Sequence, residues 1–542
     1  MRSGPAIGGG HKATIVIAAL WVFATALNML KPFHMDDTAH LVIAQQIVQD
    51  PWSPMSGLLN WTNIAEPIFY TNQPHAFFYL MAAVMSAFGA SVLALHLLVS
   101  VFTLAALVLI YQLARRMLPE NALFVTVAIG VSPGFVINQN VMVDMPLLAL
   151  ICLAIWAVCA RPPRGALAFG ALSLALLTKY TSLFLLPVLA VAAAIRGRMF
   201  WWVILPVVAL VGWSLFNIAD FGQAHILNRP TSSDRGLMPS ELLTIGLIGA
   251  LASFSLPLFC ALVSGPWRLG WALVAFFGGL GWVVVWSLAW PAAGMGWLAL
   301  NAVFIGPVIA VGMSVLREAW IFLRQAISAL MAGGLIAFAR ENHTRLTHLL
   351  WVAGGGLFLV TFAPFMATRH ALLIVVPVAF LALRHVPEVQ LRRPLIGGGL
   401  IVWAAISVVL VLNDRAFANF YARAAGPAYE QAASLAAPDG AVYALGHWGW
   451  QYYIEKAGAL VFDTQRSLPT SADIVLEVPF VDQQVLPDAD AYREVARIVQ
   501  PSGIWTQFDT RVLYAAGATP TPFLAPAPPH RIVFLQRAAG GE

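Results

Sequence analysis

The chain reads as a polytopic α-helical membrane protein of about 13 transmembrane helices, with a small extracytoplasmic α/β domain at its C-terminus. Three observations point there. Of 542 residues, 60% are hydrophobic and only 10% charged, against roughly a quarter charged in an average soluble domain. Apolar runs recur along most of the chain, and the mean hydropathy is +0.79. Beyond Asn413 the composition turns, with nine Lys and Arg against thirteen Asp and Glu. An ordinary cytosolic enzyme is excluded. The expected division is a membrane domain over 1–412, with a first external loop at 31–75, and an external domain over 413–542.

The first apolar run, Ala13 to Leu30, follows Arg2 and Lys12. It is expected to be retained as a span with the N-terminus in the cytoplasm. Later basic loops contain Arg115/Arg116, Arg161/Arg164, Arg196/Arg198, Arg268, Arg317/Arg324, Arg340/Arg345 and Arg384/Arg392/Arg393. Spans at 92–113, 121–138, 141–160, 165–178, 180–195, 199–218, 242–263, 270–290, 297–316, 347–363, 371–383 and 395–412 return all of these loops to the inner side. The run Ala326 to Ala339 is too short to cross and is expected to be re-entrant or interfacial. Runs 165–178 and 371–383 are also short, which draws Lys179 and Arg369/His370 into a thinned or cavity-lined part of the membrane. Glycine stretches such as Gly165 to Gly170 and Gly278 to Gly281 suit close helix packing.

After Asn413, the stretches Ala441 to Leu445, Leu460 to Phe462, Ile474 to Val478 and Arg531 to Leu535 read as strands, and Ala489 to Val499 as a helix. Thr519 to Pro529 reads as a Pro-rich loop and 540–542 as a frayed end. Cys152, Cys159 and Cys260 lie in apolar segments without CxxC spacing, so neither a disulfide framework nor a thiolate metal site is indicated. The pI of about 9.2 comes from arginines in short interhelical loops. Topology explains them more simply than nucleic acid does. There is no G-x-x-x-x-G-K-[ST] motif for a nucleotide motor.

The chemistry-bearing residues fall at the outer ends of the spans. Asp36 and Asp37 follow the first span directly, and two adjacent carboxylates there suit a catalytic acid–base role, or more plainly the cap of a helix from Thr38. Asp144, in the segment Asn140 to Pro146, must be paired, hydrated or protonated, by a structural ion pair or as part of a site. Lys179 and Arg369, followed by His370, are its topological companions. The set suits sugar transfer from a lipid phosphate: the cations neutralise the departing phosphate while an aspartate takes the acceptor's proton in a single displacement. His40, Trp61, Glu66, Tyr70 and His75 are candidates for acceptor or sugar binding, together with the aromatic residues Trp52 and Phe69. Interfacial aromatic residues are equally a generic feature of membrane proteins. No cofactor is required; a divalent metal on Asp37, His40, Glu66 and His75 is the weaker alternative, as their spacing matches no specific pattern.

These residues carry a resemblance. The pair Asp36-Asp37, the loop Asn72-Gln73-Pro74 with Phe78-Tyr79, the segment Asp144 to Leu147, Leu177-Thr178-Lys179 with Pro187, and Arg369-His370 with Pro377 resemble the bacterial GT-C membrane glycosyltransferases of family 39, which include protein O-mannosyltransferase-like and lipid A aminoarabinose transferase-like enzymes. The resemblance spans about residues 13 to 385. It implies a transferase of the bacterial inner membrane that uses a polyprenyl-phosphate sugar on the outer face. The acceptor is then a glycolipid, polysaccharide or protein of the cell envelope. It also implies that Asp36 is the catalytic acidic residue, with Lys179, Arg369 and His370 near the donor phosphate. His370 replaces a usual tyrosine, and Gln73-Pro74-His75 replaces a frequent Lys-Pro-Pro. A lipid or solute transporter and a noncatalytic assembly subunit are the competing classes. No inverted repeat is evident, and a long external loop with an external tail suits an enzyme better.

Overall fold

The computed structural model describes residues 8–71, 73–197, 200–227, 239–289, 295–465, 468–514 and 526–538; Asn72, 540–542 and the part of the Pro-rich loop before 526 lie outside them. The helices are α1 (Gly8–Asn28), α2 (Asp37–Gln49), α3 (Ala76–Phe88), α4 (Val92–Met117), α5 (Ala122–Gly130), α6 (Asp144–Val158), α7 (Gly165–Thr178), α8 (Leu185–Arg196) and α9 (Ile204–Phe221). They continue with α10 (Ser240–Val263), α11 (Arg268–Ala289), α12 (Met295–Met331), α13 (Leu335–Glu341), α14 (His343–Phe362), α15 (Thr368–Ala382), α16 (Pro394–Leu435) and α17 (Trp448–Ala457).

Among the described residues, eight helices are long and apolar enough to cross a membrane, not 13: α1, α4, the segment Phe200–Phe221 that contains α9, then α10, α11, α12, α14 and α16. Five further apolar helices are shorter: α3, α6, α7, Tyr180–Arg196 containing α8, and α15. The physical reason is length. At a rise of 1.5 Å per residue, a helix of 14 or 15 residues is about 22 Å long, against about 30 Å of hydrocarbon. The run 121–138 breaks at Ser132, whose extended backbone precedes Pro133. The run 326–339 is not a separate re-entrant helix, because α12 continues through it to Met331 and turns at Gly333 into α13.

Two of the short helices, α6 and α15, occupy the middle of the bundle. Every residue of α15 is buried, and α6 is buried along all but three positions. Longer helices surround them and expose apolar side chains such as Val208, Phe276, Leu357 and Ile401, as a lipid-facing surface requires. α11 and α12 approach closely because both carry glycine at the contact. A Cβ at Gly306 would lie 2.3 Å from the Ala275 carbonyl oxygen and one at Gly279 2.9 Å from that of Ala302, so the small-residue reading holds for Gly278 and Gly279 and not for Gly281, which meets nothing within 4 Å. Gly170 meets nothing within 4 Å and has no such role.

At one end of the bundle arginines bond the last carbonyls of neighbouring helices: Arg116 to Trp156, Arg196 to Val158 and Arg340 to Ile195. At the other end lie loop 31–75 and the C-terminal domain. Hairpin β1 (Leu58–Asn60) and β2 (Ala65–Pro67) belongs to that loop. The domain holds β3 (Val442–Ala444), β4 (Leu460–Val461), β5 (Ile474–Glu477), β6 (Tyr492–Val499) and β7 (Arg531–Arg537) in a mixed sheet of order β4-β3-β5-β7-β6. The expected helix over Ala489 to Val499 is instead a short turn followed by β6, paired antiparallel to β7. Edge pairing and β-branched residues decide it over the apparent helical pattern. The expected boundary at 412/413 falls inside α16, which runs without a break from the apolar span to Leu435.

Candidate active site

Asp36 stands in a strained loop. The chain leaves α1 and turns at Met35, a buried non-glycine residue with φ of +50°, a conformation that costs roughly 1–3 kcal/mol and persists only when its surroundings impose it. The C-terminal domain imposes it here. The Phe33 amide donates to the Tyr453 hydroxyl at 3.0 Å, and the Thr38 hydroxyl donates to the Trp448 carbonyl at 2.9 Å. A Cβ at Gly449 would lie 2.3 Å from the Phe33 carbonyl oxygen, so only glycine lets α17 press against the loop.

Four charged side chains converge there. Arg369 Nη1, at the start of α15, donates to Asp36 Oδ2 at 2.7 Å. Lys179 Nζ, just after α7, donates to Asp144 Oδ1 at 2.8 Å, at the start of α6. All four groups lie at ends of the short central helices or in the loop beside them. Asp36 keeps 32% of its side-chain surface accessible, whereas Arg369, Asp144 and Lys179 keep 8%, 5% and 7%. Arg369 Nη1 also lies 3.2 Å from Met142 Sδ, and its Nε is buried with no acceptor among the described residues. The guanidinium therefore retains donor capacity for a ligand oxygen.

Burial raises the proton affinity of Asp36, but Arg369 and His40 outweigh it and hold the carboxyl below its usual range. Asp37 behaves in the opposite way. It is fully buried, accepts the His34 amide at 2.9 Å through Oδ2, and leaves Oδ1 without a partner among the described residues. Burial overcomes Lys31 and the His34 amide and pushes it up to about 7, with Asp36 and Asp414 adding to the rise. The capping expectation is met by neither aspartate: the N-cap Asp36 makes no side-chain cap bond.

His40 joins the site. Its Nδ1 lies 3.0 Å from the Val141 carbonyl and its ring 4.9 Å from Phe78. Burial lowers its pKa against the pull of Asp36, so the ring is neutral, donates from Nδ1 and presents Nε2 as an acceptor. His370 caps α15 by accepting the Ala367 amide on Nδ1 at 3.1 Å, and lies beside Lys179 and Arg369.

The other expected ligand-binding residues lie elsewhere. Trp61 and Glu66 belong to hairpin β1–β2, which docks on the C-terminal domain; the Trp61 ring is 5.4 Å from that of His447, and Glu66 accepts from the Thr62 hydroxyl at 3.3 Å. Tyr70 packs edge-on against Phe69 and Phe221. His75 is buried against Trp213 and Phe78, and burial lowers its pKa to about 3. Among the described residues, no group of three or more His, Cys, Asp or Glu is placed to hold a metal. The set Asp37, His40, Glu66 and His75 is not brought together as a metal site.

Sequence reasoning missed a second buried network. Lys31 Nζ donates to Asp414 Oδ2 at 2.7 Å and to Asn140 Oδ1. His34 Nε2 donates to Asp414 Oδ1 at 3.1 Å, the Tyr514 hydroxyl donates to Asp414 Oδ2 at 2.7 Å, and Asn140 Nδ2 donates to the Tyr514 oxygen at 2.8 Å. This network ties the loop before Asp36 to α16 and to the C-terminal domain. A lone Lys31 and a lone Asp414, each at the end of an apolar span, are the available sequence signal.

A family model described as dolichyl-phosphate-mannose-protein mannosyltransferase matches residues 72–218. No curated protein matches the chain. Solved structures with a similar course include ArnT from Cupriavidus metallidurans bound to undecaprenyl phosphate, at 14% identity and a TM-score of 0.44, covering 99% of each chain. The archaeal oligosaccharyltransferase AglB from Archaeoglobus fulgidus, in complex with an inhibitory peptide and a dolichol-phosphate, is similar at 12% identity and a TM-score of 0.46, over 84% of this chain and 65% of that one. The arabinofuranosyltransferase AftD from Mycobacteria is similar at 12% identity and a TM-score of 0.39, over 100% of this chain and 40% of that one.

Proposed function

We propose that the chain is a GT-C-type membrane glycosyltransferase that moves a sugar from a polyprenyl-phosphate donor to an acceptor on the extracytoplasmic face. The observation that carries this reading is the pairing of Asp36, the one accessible carboxylate of the four-charge cluster, with Arg369, whose Nε has no acceptor among the described residues. The matching family model, over 72–218, is named for transfer from a dolichyl-phosphate sugar. The finer placement in family 39 rests on the sequence motifs alone.

In this reading the donor's phosphate enters between Lys179 and Arg369, and each supplies protons not spent on its aspartate. As Arg369 turns part of its charge to the phosphate, Asp36 loses stabilisation of its ionised form and becomes a better base. Asp36 takes the acceptor's proton as the acceptor oxygen or nitrogen attacks the anomeric carbon. The bond from that carbon to the phosphate oxygen breaks, and polyprenyl phosphate leaves with its charge neutralised by the two cations. Asp37 is too buried to meet the acceptor and acts by holding the His34 amide. Asp144 fixes Lys179. In the same reading His40 Nε2 orients hydroxyl groups of the sugar, and His370 lies beside the two cations at the phosphate. The basic end of the bundle then faces the cytoplasm and the C-terminal domain the outside, in the inner membrane of a bacterium.

The test is mass spectrometry of extracted polyprenyl-phosphate sugars and envelope glycans with and without the gene. Accumulation of intact donor lipid together with loss of one envelope sugar is expected. An unchanged lipid and glycan profile would refute the assignment.

A further inference from the structure

The C-terminal domain reaches the start of α15 through residues 509–514. The root of this segment is tied on both sides. The Arg511 guanidinium donates through Nε and Nη2 to the two Asp509 oxygens, at 2.9 and 2.6 Å, and through Nη1 to the Phe480 carbonyl at 2.8 Å, just beyond β5. The Gln507 and Phe508 amides donate to Asn413 Oδ1 on α16 at 2.9 and 3.1 Å. At the tip, Leu513 and Tyr514 are buried. The Leu513 carbonyl accepts from the Thr368 hydroxyl at 2.9 Å, and the Thr368 oxygen accepts from Asn138 Nδ2, also at 2.9 Å. Asn138 Nδ2 donates in addition to the Gly134 carbonyl at 2.6 Å. Thr368 and Asn138 are both buried.

Thr368 opens α15 and directly precedes Arg369. The first turn of a helix lacks the hydrogen bonds that hold its interior, so its position depends on what ties it. Here the tie crosses 145 residues of chain, from the helix bundle to the C-terminal domain. Beyond it, the Arg369 guanidinium touches Asp36, Met142 Sδ and, at 5.6 Å, the Phe365 ring. Any buried hydroxyl finds partners. This one donates to a doubly tied segment of another domain, and its own backbone carries the arginine of the site.

Resting on the glycosyl-transfer reading, we propose that the C-terminal domain sets the aim of Arg369 through the hydrogen bond between Leu513 and Thr368. Thr368 is then a positioning residue for the Asp36–Arg369 pair, and through Arg369 for the donor phosphate. It touches neither substrate.

The full chain in lipid nanodiscs is tested with two probes. One is a hydrophobic carbodiimide, which modifies protonated carboxyls. Its rate at Asp36, 32% accessible, is read by peptide mass spectrometry, with the fully buried Asp37 for comparison. Arg369 opposes protonation of Asp36, so a misplaced guanidinium speeds this reaction. The other probe is polyprenyl phosphate, whose binding needs no transfer. Thr368→Val keeps the branched shape and removes both hydroxyl bonds. It is expected to speed Asp36 labelling and to weaken polyprenyl-phosphate binding, each by about fivefold, as loss of one hydrogen bond implies. Thr368→Ser is expected to match wild type. Arg511→Leu, at the partly exposed root, is expected to act in the same direction as Thr368→Val and decides the matter where that variant does not fold. In an Arg369→Gln background, Thr368→Val is expected to add nothing. Three results overturn the inference: Asp36 labelling unmoved by Thr368→Val and Arg511→Leu, Thr368→Ser as impaired as Thr368→Val, or an undiminished effect in the Arg369→Gln background. Binding of polyprenyl phosphate by wild type then leaves the transferase reading standing. The expected labelling pattern without any polyprenyl-phosphate binding by wild type supports the positioning role and refutes the transferase reading.

Discussion

Arg369 and Asp36, 333 residues apart in the chain, are joined by a single 2.7 Å hydrogen bond from Nη1 to Oδ2, and the guanidinium Nε has no acceptor among the described residues. A single contact leaves the arginine able to serve two anions at once. Arg369→Lys keeps the charge and loses the fork, so the donor KM is expected to rise about tenfold, with a smaller fall in kcat. Arg369→Gln loses both and is expected to weaken donor use further. Steady-state kinetics with purified donor lipid checks this, and an unchanged KM in both variants would remove Arg369 from the phosphate site.

Asp36→Asn keeps the shape and the hydrogen-bond reach of the side chain but cannot accept a proton. Loss of a general base costs roughly 10²–10⁴-fold in rate, so transfer is expected to fall at least about 100-fold while donor lipid still co-purifies. Asp37→Asn, at a fully buried position, is expected to retain measurable turnover. Wild-type turnover in Asp36→Asn would contradict the assignment of the base.

Asp144 and Lys179 neutralise one another in a setting only 5% and 7% exposed. Removing one partner strands a charge, at a typical cost of about 3–5 kcal/mol, whereas removing both is far less damaging. Asp144→Asn is therefore expected to lower the thermal midpoint in detergent, and Asp144→Asn combined with Lys179→Met to recover most of it. Activity is expected to stay low in the double variant, because the lysine also serves the phosphate. Recovery of activity along with stability would make the pair purely structural.

Much of this arrangement was legible in the chain before its fold was known. Charged residues are rare in apolar runs, so Asp36, Asp144, Lys179 and Arg369 stood out, and parity of the basic loops assigned them to one face. Burial and pairing were not legible: nothing local says that Arg369 meets Asp36 while Lys179 meets Asp144, or that Asp37 faces inward. The count of spans failed where length and hydropathy part company, since α6, α7 and α15 are apolar yet too short to cross. Strand β6 was misread because its partner β7 is about forty residues further on. The Lys31–Asp414 network escaped because its members come from four separate segments.

That network gives a prediction of its own. Lys31 and Asp414 are both fully buried, and Asp414 also accepts from His34 and Tyr514. Tyr514→Phe removes one donor and leaves the ion pair, so a loss of roughly 1–2 kcal/mol is expected. Asp414→Asn leaves Lys31 buried without its counter-charge and is expected to cost about 3–5 kcal/mol. Thermal unfolding followed in detergent distinguishes the two; equal effects would mean that the ion pair adds nothing beyond one hydrogen bond.

Asp37 sets a pH dependence whose sign follows from its burial. The group ionises near 3.8 in an open chain and at about 7 in the fold, so between those values the native state binds more protons than the unfolded one, and stability falls as pH rises. Its contribution is fully present below the unfolded value and is lost as pH passes through about 7. The total lost by pH 8 is on the order of 4 kcal/mol, at 1.36 kcal/mol per pKa unit. Asp37→Asn cannot ionise and still accepts the His34 amide. Thermal midpoints of the variant and the wild type, measured from pH 4.5 to 8, are expected to draw apart as pH rises, with the variant the more stable at the alkaline end. A constant difference across the range would show that Asp37 does not change its protonation there, and that another group controls the stability of the loop that presents Asp36.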